Sequence, residues 1–77
     1  MASSGFVVEA HRNDGTIKII GTAKIKKEAL NIAQDYAMQR LGHVSHNRKD
    51  SSFTIENNGR IIEIVTLRHM TPIETGR

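Results

Sequence analysis

Phe53-Thr54-Ile55-Glu56-Asn57-Asn58-Gly59-Arg60-Ile61-Ile62-Glu63-Ile64-Val65 sets an Asn-Gly pair between two runs rich in β-branched residues. Asn-Gly is the strongest short-range hairpin signal, because both central positions of a tight type I′ turn need positive φ. On its N-terminal side, Ser52 to Glu56 alternates and turns Phe53 and Ile55 inward. On its C-terminal side, Ile61 to Arg68 is the longest strand, with Ile61, Val65 and Leu67 opposing Ile62 and Ile64. A strand apolar on both sides is usually one covered on both faces. Pro72 ends regular structure, so an ordered core over about 5–70 and a loose tail over 71–77 are expected.

Upstream, Phe6 to Arg12 reads as a strand, Asn13-Asp14-Gly15-Thr16 as a turn and Ile17 to Thr22 as the returning strand. Simple alternation places Phe6, Val8, Ala10, Ile17 and Ile19 on one face. Between the hairpins the apolar period lengthens to that of a helix. Ala29, Leu30, Ile32, Ala33, Tyr36, Ala37 and Leu41 form its buried stripe from Lys26 to Leu41, and Gly42 supplies the stop. His43 to Ser51 is polar and basic, without periodicity, and reads as a loop. The prediction is a single α+β domain of order ββαββ, a four-stranded antiparallel sheet with one helix on one face.

One helix leaves the other sheet face open. Alternation assigns Val7, Glu9, His11, Lys18, Ile20, Thr22, Ser52, Thr54 and Glu56 to it. With the two-sided last strand alongside, Val7, Ile20, Val65 and Leu67 become a candidate protein interface, and Met38 an apolar outlier on the helix's polar side. A homodimer through that face is one expectation. Scattered surface aliphatics are the plainer account.

The 77 residues carry eleven Lys+Arg against eight Asp+Glu, a net charge of +3, and contain no cysteine. Disulfides and thiolate metal sites are therefore excluded. No apolar run is long enough for a membrane span and Met1 to Gly5 lacks signal-peptide character, so a cytoplasmic protein is expected. A basic balance favours polyanions or acidic protein surfaces. Two groups carry it. Lys24, Lys26 and Lys27 surround the helix start, where free backbone N–H groups already favour anions, and Arg40, His43, His46, Arg48 and Lys49 run from the helix end into the expected loop. Either group equally suits a solvated charged surface.

Phe6, Phe53 and Tyr36 are assigned to the core, which disfavours binding of single strands by base stacking. His43-Val44-Ser45-His46 has metal-like spacing, but only Asp50 stands near as a third ligand, so no metal or other cofactor is expected. No Gly-rich phosphate loop, activated nucleophile or carboxylate pair is present, so the chain is read as non-enzymatic, with no small-molecule substrate.

The residues Lys26, Glu28, Ala29 and Ala33, together with Asn58-Gly59-Arg60-Ile61, make the chain resemble small bacterial and phage ββαββ domains. In size and layout it is similar to phage counter-defence inhibitors, including anti-CRISPR and toxin-blocking proteins. That resemblance implies an inhibitor of host defence that occupies a nucleic-acid-handling complex stoichiometrically. Joined to the charge, it gives the leading expectation of a binder of nucleic acid, RNA before DNA, or of a nucleic-acid-processing protein.

Overall fold

The computed structural model describes residues 5–40 and 42–70. Six elements follow in order: β1 (Phe6–Arg12), β2 (Ile17–Ala23), α1 (Lys26–Met38), β3 (His43–Asn47), β4 (Ser52–Asn57) and β5 (Arg60–His69). The strands form one antiparallel sheet in the order β2-β1-β5-β4-β3, with α1 packed across one face. The α+β class is as predicted, but the sheet has five strands. The segment expected as a loop supplies β3, and only 48–51 form the turn after it. Two contacts explain how so polar a run becomes a strand: Val44 tucks against the core, and the His46 ring stacks on Phe53 at 4.3 Å. Pairing with β4 outweighs weak intrinsic propensity. The expected tail and Leu41 lie outside the described residues.

The two predicted hairpins close on left-handed turn residues. Asn57 pairs with Arg60, so Asn58 and Gly59 form a two-residue loop with φ of 56° and 76°. The first loop is one residue longer. Arg12 N–H donates to the Thr16 carbonyl, Gly15 takes φ of 93°, and Asp14 Oδ1 accepts from both the amide and the hydroxyl of Thr16.

The helix starts at Lys26 as predicted, after Ile25, whose side chain makes no capping bond, but it ends at Met38 with Gln39 as its cap, short of the predicted Leu41 and Gly42. Its buried line is Ala29, Ala33 and Ala37, spaced by four, so one row of methyl groups faces the sheet. Small residues there let the backbone sit close over Val8, Ala10, Phe53, Ile55 and Val65, while Leu30, Ile32 and Tyr36 flank the contact.

Two β-bulges overturn the predicted face assignments. In β2, Gly21 pairs with Val8 but Ile19 pairs with Glu9, leaving Ile20 as the extra residue. Alternation reverses across a bulge. Ile20 therefore packs on the core instead of the open face, while Ile17 and Ile19 turn outward, 58% and 57% exposed. In β5, Ile62 is the extra residue opposite Ile55 and Glu56. Val65 then lies fully buried beneath the helix and Leu67 packs beside it, neither on the open face, while Ile61 is exposed. Val7 keeps its predicted face but is 2% exposed between Thr22 and Arg68. Of the five candidate interface residues, only Met38 is openly exposed.

Candidate nucleic-acid interface

The strand registers fix which residues share an end of the sheet. Phe6 pairs with both Ala23 and His69, and Phe53 pairs with Val65, so the start of β1 and the ends of β2 and β5 lie together with the start of β4. The helix begins at that end, two residues after β2, and the β3–β4 turn closes there too. Lys24, Lys26, Lys27, Arg48 and Lys49, from opposite margins of the sheet, consequently converge on one end. All five are exposed, and none makes an ion pair among the described residues. In the turn, Lys49 N–H donates to Asn47 Oδ1 and Ser52 Oγ donates to Asp50 Oδ1, which fixes the backbone that carries the cations.

The other three predicted cationic residues fall elsewhere. Arg40, at the far end of the helix, lies over the Tyr36 ring and holds its Nε 3.2 Å from Glu63 Oε1. His43 pairs with Glu56 at that same far end. His46 lies nearer the basic end, but its ring is spent covering Phe53. His43 and His46 stand three apart on a strand and so face opposite sides, which separates the pair whose spacing suggested a metal. Among the described residues no group of three or more His, Asp or Glu is placed to hold one.

Charge is divided sharply between the ends. Among the described residues the five cations of the basic end are accompanied by Glu28 and Asp50, and Glu9 and Arg68 neutralise one another on the open face. The remaining Lys18, Arg12, Arg40 and Arg60 are matched in number by Asp14, Asp35, Glu56 and Glu63. The net positive charge of the described residues therefore resides at one end.

Two polar clusters had no motif to announce them. Glu63, 3% exposed, sits on the helix side between Arg12 Nε at 2.9 Å, Arg40 and the Tyr36 hydroxyl, which donates at 3.0 and 3.2 Å. Burial pushes its carboxyl up, but the bonds from Arg12 and Tyr36 and the two guanidinium charges more than reverse that, leaving it below the ordinary value of 4.5. Burial first, then the bond to Glu63, raises the Tyr36 phenol. Parity alone could not find this cluster: Arg12 continues the Phe6, Val8, Ala10 face, but Glu63 shares a face with Val65 and Leu67, which joins the helix side only through the β5 bulge. On the open face, Arg68 Nε donates to Glu9 Oε2 at 2.9 Å, and His11 Nε2 lies 3.1 Å from Thr66 Oγ1 and 3.5 Å from Glu9 Oε1. Both His11 contacts use one ring nitrogen, so the imidazole is not held between an acid and a hydroxyl as nucleophile activation requires.

Because Glu63 is depressed in the fold, its contribution is complete above the unfolded carboxyl range and is lost as pH falls through the folded value. Thermal melts should be flat from neutrality to about pH 5 and decline below it. A Glu63→Gln variant should start lower and lose less on acidification; parallel acid profiles for the two proteins would contradict this assignment.

No helix among the described residues is long and apolar enough to cross a membrane. The chain matches no protein-family model, and no curated protein or solved structure is significantly similar to it.

Proposed function

We propose that this chain is a non-enzymatic binding module that captures nucleic acid by its phosphates, RNA before DNA, and acts by stoichiometric occlusion. The observation that carries the reading is the segregation of charge: among the described residues, five exposed cations without ion-pair partners share one end, and the charges of the other end balance. Segregated charge concentrates the field where a polyanion would approach. Each phosphate neutralised by Lys or Arg releases condensed counterions, so affinity must fall as salt rises. With up to five contacts, the slope of log affinity against log salt on single-stranded RNA should approach about −3.5, and on a duplex about −4.5. Fluorescence anisotropy with labelled RNA between about 50 and 200 mM salt measures it. No binding at the lower salt removes the reading, and a partner retained at high salt points to a nucleic-acid-processing protein instead.

A second reading rests on a separate observation, the exposed Ile17 and Ile19 on the open face with Ile61 across the sheet at 45% exposure. It makes the open face a homodimer interface. Face-to-face packing suits it better than edge pairing, because β2 carries Lys18 and a bulge, both devices that blunt an edge. Sedimentation equilibrium at micromolar concentration decides: a strict monomer ends this reading and leaves the first untouched.

A further inference from the structure

Resting on the nucleic-acid reading, we infer that the basic end grips a duplex by both of its backbones and discriminates against single strands. The cations form two groups, not one field. Lys24, Lys26 and Lys27 adjoin β2, the first strand across the sheet, whereas Arg48 and Lys49 sit on the turn joining the fifth and fourth. With neighbouring strands about 4.8 Å apart, three to four spacings separate the groups by about 14–19 Å. With Arg68 bonded to Glu9 on the open face, the strip between the groups carries no Lys, Asp or Glu among the described residues. It is made by Gly5, Phe6, His69 and Met70, with the Phe6 and His69 rings in contact at 4.6 Å and Met70 N–H donating to the Gly5 carbonyl.

Two positive ridges flanking an uncharged strip match a target with two phosphate lines flanking a groove. The B-form major groove is about 12 Å across, and the minor groove of A-form RNA is wide and shallow. A blunt end of this breadth reaches the backbones on either side of such a groove without inserting an element into it. A single strand offers one flexible phosphate line and unstacked bases, which proteins hold chiefly by aromatic stacking. No phenyl or phenol ring is available for that. Phe6 lies against His69, Phe53 is buried under His46, and Tyr36 is bonded to Glu63 beneath Arg40. Contacts to backbone alone also carry no direct sequence information, so duplexes of unrelated sequence should bind alike.

The test uses the full chain, a labelled RNA duplex of mixed sequence, the corresponding DNA duplex and each separated strand, compared by anisotropy at low salt. At least one duplex should bind ten-fold or more tighter than its strands, and the preferred duplex shows whether A-form or B-form geometry is read. The double variants Lys26→Glu with Lys27→Glu, and Arg48→Glu with Lys49→Glu, should each weaken duplex binding ten-fold or more while melting like the parent. Single strands binding as tightly as duplexes overturn the inference but leave the nucleic-acid reading standing. So does one double variant that is folded and binds duplex normally, because only one ridge would then be in use. Binding to neither form overturns both.

Discussion

Ala33→Asp should leave the chain unfolded at room temperature. Ala33 is fully buried in the middle of the alanine row, with Ala29 and Ala37 one turn away on either side. The wall it faces is hydrocarbon: Val8, Ala10, Ile55 and Val65 are all fully buried in the same cluster. A carboxylate placed there finds neither water nor a donor. The Glu63 cluster shows what this fold supplies when it does bury an acid, namely two guanidiniums and a hydroxyl. Nothing comparable reaches the centre of the helix contact. Burying a polar group without a partner costs about 2–7 kcal/mol, and an unpaired charge costs more. A single core in a chain this short supplies only about 3–5 kcal/mol in total. Asp also needs more volume than Ala, in a contact whose closeness depends on small side chains. Far-UV circular dichroism should show loss of the native spectrum in buffer without denaturant. A cooperative melt within a few degrees of the parent would mean that the helix does not pack through Ala33. Ala33→Ser, which adds a hydroxyl able to bond back to the helix, should be far milder.

That helix was legible because its period is regular and its small residues recur every fourth position. The hairpin turns were legible for a related reason: Asn58-Gly59 and Gly15 are local solutions to a local requirement for positive φ. The face assignments failed where regularity failed. A strand's alternation predicts its buried side only while the register is unbroken, and one extra residue inverts every assignment beyond it. Ile20 and Ile62 are such residues; no adjacent glycine or proline marks Ile62, whereas Gly21, directly after Ile20, is a strand glycine of the kind that accompanies a bulge. Ile17 and Ile19 therefore read as core and stand exposed, while Val65 read as surface and is core. β3 escaped for a different reason. His43-Val44-Ser45-His46-Asn47 has little strand character of its own, and the contacts that hold it belong to Val44 and to the Phe53 ring on its neighbour.

The candidate interface divides along the same line. Lys24, Lys26, Lys27, Arg48 and Lys49 could be picked out by charge, but their meeting at one end depends on strand order and on the helix direction. Arg40 looked like one of them and is instead committed to Glu63, an acid placed on the helix side only because the β5 bulge sets its parity. Composition identifies charges; topology decides which are neutralised.

Gly42→Ala should produce the second large loss, and Gly59→Ala provides the measure for it. Both glycines have φ in the region that disfavours a side chain, 142° at Gly42 and 76° at Gly59. Their surroundings differ. A Cβ at Gly59 would meet nothing within 4 Å, so that substitution bears only the left-handed backbone penalty of about 1 kcal/mol. A Cβ at Gly42 would collide with the backbone carbonyl oxygen of Glu56 and crowd the Ile55 side chain at 3.3 Å. Neither neighbour can retreat cheaply. Glu56 is held in the ladder between His43 of β3 and Ile61 of β5, and Ile55 is a fully buried core residue. Relief requires either moving β4 within the sheet or releasing the start of β3. Strain at a glycine-only conformation costs about 1–3 kcal/mol, and overpacking against a fixed backbone adds about as much again. The expected result is a loss of about 3 kcal/mol or more for Gly42→Ala against about 1 kcal/mol for Gly59→Ala, read by urea denaturation of the two variants beside the parent. The route of relief is also measurable. If β3 detaches, amide exchange should accelerate across His43 to Asn47 while β1, β2 and β5 stay protected, because β3 is an edge strand with β4 as its sole sheet partner. Detachment would also free the turn bearing Arg48 and Lys49, so this variant should lose duplex affinity without losing a charge. Equal stability of the two alanine variants would show that the approach of Glu56 to Gly42 is not a constraint on the fold.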